Sequence, residues 1–475
     1  MKILLSKKTR DVEAVIYLIL FSIYLLFNRI VPITYIFDPI NGLLFSALAG
    51  FGCLLILQDV LTDQYLFKVK FSWVLILFLV ALTVSNVLNI QYGWTDNLKT
   101  TIWFCIHFFV VYTISLRIQT EKNKNLILLV FKLFNIVFSI CIFISILQFV
   151  FQIQYYGYMH FDVLKRQAFV EARLFGVFSD PNAAAMISIW MICINYYLIR
   201  QSSVNYEKYF YSFIIIIDFI YIVLSGSRTA EIVLFLIIIL GFCLHIHNLT
   251  FTFKGCIKKK VIQYVIIVLL FFPVIFGVKS IASYVPEAFE NAHVDEILEI
   301  GKTEPLDSEK VKKKDILKRD DVSEDNFFNN RFQIWKGYLT SLKDGKWLFG
   351  LSPRNALAYI VETYPNNYIA ETDYIAHSDY LAIIAYTGLA GFAVFVLLAV
   401  LILQYVFKKI RVKKKLDDFY IMSLLIVFSI LVYGLSYRDI LFCNTFTGFV
   451  FWLFMSYILN VKDDGIYEKD STPSV

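Results

Sequence analysis

His377 is the residue of this 475-residue chain best placed to move a proton. It stands in IAHSDYLAIIAYTGLAGF, just ahead of a long apolar run, and imidazole is the side chain whose unperturbed pKa lets it accept a proton near neutrality. Taken alone, it reads first as a histidine at a membrane interface. Three arginines could serve anion chemistry. Arg228 lies in SGSRTAEIVLF, a turn of a few residues between apolar runs, where a charge is costly unless partnered. Glu231, three residues on, shares its helical face, so Arg228 is either half of a local ion pair or part of an anion site. Arg331 follows Asn330 at the start of a helical pattern; it is either a phosphate ligand beside free backbone N–H groups or an arginine snorkelling on the membrane surface. Arg173 stands in RLFGVFSDPNAAAM, where Asp180 and Pro181 are explained as helix cap and first turn but Arg173 is not.

Other chemistry is thinly represented. The chain has no phosphate-binding glycine loop, no HExxH and no Cys/His metal spacing, so an enzyme built from it is expected to use no ATP, no cofactor and no metal. His245-x-His247, His107, His160 and His293 read as interfacial or loop histidines. Asp218, in FIIIIDFIYIVL, falls within an apolar run where an acid is functional or paired, and the sequence offers no partner. The cysteines sit in apolar runs, apart from Cys256 in a basic connector, and cannot staple the long loops.

These side chains must be positioned by membrane helices. The composition is 59% hydrophobic, 17% aromatic and 17% charged, which excludes an ordinary soluble enzyme, a disordered chain and a collagen-like repeat; a net charge of +6 gives no support to nucleic-acid binding. Runs long enough to cross a bilayer fall at about 12–30, 41–61, 71–90, 100–119, 126–154, 183–200, 208–225, 229–248, 261–278, 379–406, 418–436 and 440–461, predicting an all-α protein of about twelve transmembrane helices. The first reads as an uncleaved signal anchor. Alternate connectors hold 23 basic residues against seven on the opposite short loops, which sets both termini in the cytoplasm of a multi-pass membrane protein.

Two external segments exceed connector length, about 155–182 and 279–378. The expected organisation is helices 1–9 over residues 1–278, one large external loop over 279–378, and helices 10–12 with a cytoplasmic tail over 379–475. Within the large loop, 302–325 mixes seven basic and eight acidic residues with little apolar content and reads as a mobile linker. Residues 327–344 place Ile334, Trp335, Tyr338, Leu339 and Leu342 at helical spacing before Gly345, predicting an amphipathic helix on the membrane surface or over the bundle mouth.

At these residues the chain resembles the O-antigen polymerase and ligase superfamily. His377-Ser378, nine residues and then Gly388-Leu389-Ala390-Gly391 is similar to its histidine motif. RLFGVFSDPNAAA, SGSRTAEI and RFQIWKGYLTSLKDGKWLFG resemble its arginine-bearing stretches, in order from about 173 to 391. The resemblance implies a GT-C-like glycosyltransferase acting on undecaprenyl-diphosphate-linked oligosaccharide, with His377 as general base and Arg228 and Arg331 on the diphosphate. Arg173, Asn182, Glu231 and Ser378 would complete the substrate site. It also implies an inverting, metal-independent enzyme, with a glycan flippase and a chain-length regulator as partners beside membrane lipid; the Ile-, Phe- and Lys-rich composition, that of an AT-rich genome, favours a capsule or exopolysaccharide repeat-unit polymerase. A ligase delivering glycan to another acceptor shares the same motifs. A glycan-lipid transporter and a non-catalytic scaffold of envelope assembly are the rivals from other classes, and the late position of the long loop counts against the transporter.

Overall fold

The computed structural model describes residues 6–118, 120–151, 153–160, 163–170, 172–252, 257–285, 330–413 and 415–461. The charged stretch 302–325, residues 327–329 of the amphipathic segment, His293, Cys256 and the tail after 461 lie outside them. The chain is 78% helical. In order come α1 (Lys7–Phe27), α2 (Val31–Leu61), α3 (Tyr65–Lys68), α4 (Ser72–Leu88), α5 (Thr95–Ile106), α6 (Ile114–Arg117), α7 (Thr120–Val150), α8 (Pro181–Gln201), α9 (Asn205–Leu224), α10 (Arg228–Thr252) and α11 (Ile257–Ala282). After the undescribed stretch follow α12 (Arg331–Thr340), α13 (Ala356–Thr363), α14 (Tyr368–Thr372), α15 (Asp379–Val412), α16 (Asp418–Tyr433) and α17 (Phe446–Asn460).

Among the described residues seven helices are long and apolar enough to cross a membrane, and α4, α16 and α17 are shorter apolar helices. Each expected apolar run falls on a helix, with α1 and α9 at the runs 12–30 and 208–225. α2 begins ten residues ahead of its expected start, because Pro32 is accepted in a first turn and Ile30 pairs as a β-bridge with Phe178. Every residue of α17 is buried, as expected of a helix that is apolar all round. Trp452 of α17 packs edge-on against Phe108, 4.6 Å between centroids, in the π-helical turn His107–Val111 that continues α5.

Two features depart from an all-helical reading. Residues 154–176 form a three-stranded antiparallel sheet, β1 (Gln154–His160), β2 (Val163–Val170) and β3 (Arg173–Gly176), in the order β1-β2-β3. The second is a break inside α15, where Gly388 takes φ +64° and ψ −166°, a conformation essentially confined to glycine. The break exposes backbone groups that the segment 346–352 satisfies. Leu389 and Ala390 donate to the carbonyls of Trp347 and Leu348 at 2.8 and 3.0 Å, while Leu351 and Ser352 donate to Ala385 and Tyr386 at 2.9 and 3.1 Å. A Cβ on Gly388 would stand 2.4 Å from the Leu348 carbonyl carbon, and one on Gly350 2.5 Å from that of Tyr386. The two backbones can lie this close only because both positions lack a side chain.

α4 supports this joint. Ser85 donates to the Tyr386 carbonyl at 2.6 Å and accepts from the Ser352 N–H at 3.1 Å. Asn89 donates to the Gly350 carbonyl at 3.1 Å and accepts from Lys346 at 2.8 Å.

Candidate functional site

The site gathers at the end of the bundle where the sheet, α12–α14 and the loop 434–445 meet. That loop is longer than the sequence predicts, because the run 440–461 becomes helical only at Phe446. The carboxylate of Asp379, at the first position of α15, accepts from the N–H groups of Asp439, Ile440 and Leu441 at 3.2 to 3.4 Å, which holds these residues out of a helix. Asp439 also receives Arg29 at 2.9 Å and the Thr447 hydroxyl at 3.1 Å.

His377 lies immediately before this anchor. Ser378 is the N-cap of α15, accepting from the Leu381 N–H at 3.4 Å and donating to the Gly434 carbonyl at 3.3 Å. The imidazole packs against the rings of Tyr374 and Tyr437, 6.0 and 6.4 Å between centroids. Burial, with the guanidinium groups of Arg331 and Arg438 adding to it, pushes its pKa from 6.5 down to about 4. His377 is therefore neutral at physiological pH, with a ring nitrogen able to accept a proton.

Arg331 is the first residue of α12, behind Asn330 in the left-handed conformation. α12 does not lie on the membrane surface by its apolar face: Ile334, Tyr338 and Leu342 are buried, and Tyr338 donates to the Tyr374 carbonyl at 2.9 Å. Its packing against α14 and α15 sets Arg331 toward His377.

Arg173 ends up in a fixed setting. From β3 its Nε donates to the Ser225 carbonyl at 3.0 Å and its Nη2 to the Asn182 side-chain oxygen at 2.7 Å. Its guanidinium therefore binds the turn that carries Arg228 to the first turn of α8. Glu231 pairs with Lys279 of α11 at 2.6 Å, so this carboxylate is engaged away from the turn. The 434–445 loop links the two halves of the site. Ser436 donates to the Thr229 hydroxyl at 3.1 Å, beside Arg228, and the next residue, Tyr437, stacks near His377 and donates to the Asp180 carboxylate. Asp218 is fully buried on α9 beside Ser188 of α8.

Sequence reasoning passed over the loop residues Tyr437 and Arg438. Arg438 donates to the Tyr386 hydroxyl at 2.6 Å and spreads over that ring, 5.6 Å from its centroid. One signal was present: SYRDI sets an arginine and an aspartate between two apolar runs, where unpaired charge is costly.

Fold and site together define a multi-pass, mostly helical membrane protein with a neutral histidine among arginines at one end of its bundle. Residues 213–396 match the family described as O-antigen ligase, so this part of the chain is similar to the O-antigen polymerase and ligase superfamily. The matched segment contains Arg228, Arg331, His377 and the Gly388 break; Arg173, Asn182 and the 434–445 loop lie outside it. No curated protein matches the chain. The family implies glycosyltransferase-like polymerase or ligase activity on a lipid-linked glycan in a membrane.

Proposed function

We propose that the protein joins undecaprenyl-diphosphate-linked oligosaccharide repeat units into a surface polysaccharide, a capsule or exopolysaccharide, on the outer face of the bacterial cytoplasmic membrane. The reading takes the chain as twelve spans with both termini in the cytoplasm and 279–378 as the large external loop. The observation that supports it is the 434–445 loop, whose Tyr437 packs on His377, itself beside Arg331, and whose Ser436 donates to Thr229 next to Arg228.

In this reaction an acceptor sugar hydroxyl attacks the anomeric carbon of the donor, the bond to the diphosphate breaks with inversion, and the hydroxyl proton passes to His377. The developing charge on undecaprenyl diphosphate is met by Arg331 and Arg228, whose guanidinium forks match phosphate oxygens two at a time, and no metal is assigned a part. Arg173, committed to Ser225 and Asn182, positions the Arg228 turn. Anion binding beside His377 would offset the arginine charge that depresses its pKa, making the base stronger once the donor is bound. A glycan flippase supplies the donor in this scheme and a chain-length regulator acts on the product.

The ligase reading differs only in acceptor. Purified protein given lipid-linked oligosaccharide alone separates the two: a ladder spaced by one repeat unit is expected, whereas transfer only after an unrelated acceptor is added would make the protein a ligase. No transfer under either condition would reject the enzymatic reading.

A further inference from the structure

The segment after Arg438 has a second face. Leu441 to Asn444 line a cavity of about 1000 Å³, at the top of the roughly 300–1000 Å³ range of ligand pockets. Its other walls come from Phe45 of α2, from α5 with His107 of the π-helical turn that continues it, and from Arg354, ahead of α13. Asp96, with a side chain 65% exposed, and the exposed Arg354 stand among its lining residues, while Trp103, His107 and Phe442 are buried.

Two polar groups of its floor, His107 and Asn444, face each other and have no hydrogen bond of normal geometry. Neither ring nitrogen of His107 makes a hydrogen bond of normal geometry, although the side chain is only 3% exposed, and the amide oxygen of Asn444 beside it is likewise buried without one. Buried groups of this kind carry a desolvation cost unless a ligand or water meets them. His107 also opens the π-helical turn His107–Val111, an irregularity found most often where a helix carries function.

We infer that this cavity is a glycan subsite, holding sugar residues of the oligosaccharide beside the transfer site. The inference rests on the glycosyl-transfer reading above. A pyranose has an apolar C–H face and a belt of hydroxyls that both donate and accept. Trp103 and Phe442 supply flat apolar walls; His107, Asn444, Asp96 and Arg354 supply donors and acceptors around them. A lipid tail would offer the buried His107 and Asn444 no hydrogen bond, and a free phosphate would leave the aromatic walls without a partner. The cavity also adjoins the chemistry. Phe442 packs edge-on against Tyr386 at 5.1 Å, Tyr386 accepts from Arg438, and Arg438 acts on His377, so the cavity wall is two side chains removed from a charged neighbour of His377.

The probe is the reducing oligosaccharide released by mild acid from the host's lipid-linked pool, its binding to the nanodisc-reconstituted full chain followed by saturation-transfer NMR. Binding by the parental protein and by His377→Ala is expected, weakened about tenfold in Asn444→Leu and His107→Leu by loss of a hydrogen bond each. Arg354→Gln, at an exposed position that leaves folding intact, is expected to weaken it several-fold. No binding by the parental protein, meaning a cavity filled by water only, would overturn the subsite, as would unchanged binding in all three cavity variants. A parental protein that binds the oligosaccharide without transferring it would instead reject the glycosyl-transfer reading and leave the cavity's ligand class standing.

Discussion

Tyr437 donates its hydroxyl hydrogen to the carboxylate of Asp180, joining the loop between α16 and α17 to the first turn of α8 across 257 positions of sequence. The same ring packs on His377 and stacks on Tyr433 at 4.9 Å. His377 is thus held by an element at the far end of the chain.

His377→Ala is expected to lower the rate of glycan extension by about 10²–10⁴-fold, the usual effect of removing a general base, while stability changes little. Gel analysis of polymer made by the purified, monodisperse variant reads this. Extension at near the parental rate would end the general-base role.

The pH profile should report the arginines. With the His377 pKa near 4, kcat/KM of the parental protein stays level through neutrality and falls only as pH drops toward that value. Arg331→Gln removes a cation that opposes protonation, so the pKa rises and the acid limb moves to higher pH, by on the order of half to one unit. Lys336→Gln, on the exposed side of the same helix, serves as a control for general charge and should leave the limb in place.

Arg173 and Asn182 act as one clamp in this geometry. Arg173→Lys and Asn182→Leu should each reduce activity, and the double variant should lose little more than the worse single one, because each breaks the same support of the Arg228 turn. Additive losses in the double-mutant cycle would show two independent roles.

Gly388→Ala tests the helix break. A side chain there faces both an unfavourable backbone angle and the Leu348 carbonyl, so a destabilisation of roughly 1–3 kcal/mol or more is expected, seen as a lower melting temperature of the detergent-solubilised protein. An unaffected Tm would mean the break is not needed.

The orientation can be read on intact cells. In a cysteine-free background, a cysteine at exposed Glu362 should react with an impermeant thiol reagent, and one at exposed Val412 should not. The reverse pattern would turn the proposed site toward the cytoplasm.

Much of this was legible in the sequence, for physical reasons that differ by element. The helices were visible because a lipid-facing or wholly buried helix must be apolar over its length, as α17 and α2 are. The Gly388-to-Gly391 motif could be seen, but its cause could not. It depends on the close approach of the 346–352 backbone and on the Thr387 hydroxyl, which a Cβ at Gly391 would meet at 2.0 Å. The sheet was missed although QYYGYMH and VLKRQAFV have the aromatic and β-branched content of strands, because a connector so rich in apolar residues was read only as loop. The 434–445 loop was hidden by its own composition: Ile440, Leu441 and Phe442 read as the start of a helix, and only the Asp379 carboxylate, 61 residues upstream of Ile440, keeps them from being one.

The break at Gly388 bears on how the chain is made. A helix entering the bilayer normally carries all its backbone bonds with it, but α15 arrives with groups around Gly388 that are met by 346–352 and by Ser85 of α4. About 13 Å of helix separates Gly388 from Asp379, so these groups lie below the surface, where water is scarce and each unmet group costs several kcal/mol. Membrane integration of this span is therefore tied to docking of the polypeptide that precedes it, and biogenesis becomes a coordinated step in which that segment must fold back before the span is fully hydrogen-bonded in lipid. Lengthening or shortening the stretch from Lys346 to Ser352 would then strike at assembly in the membrane before it touched catalysis.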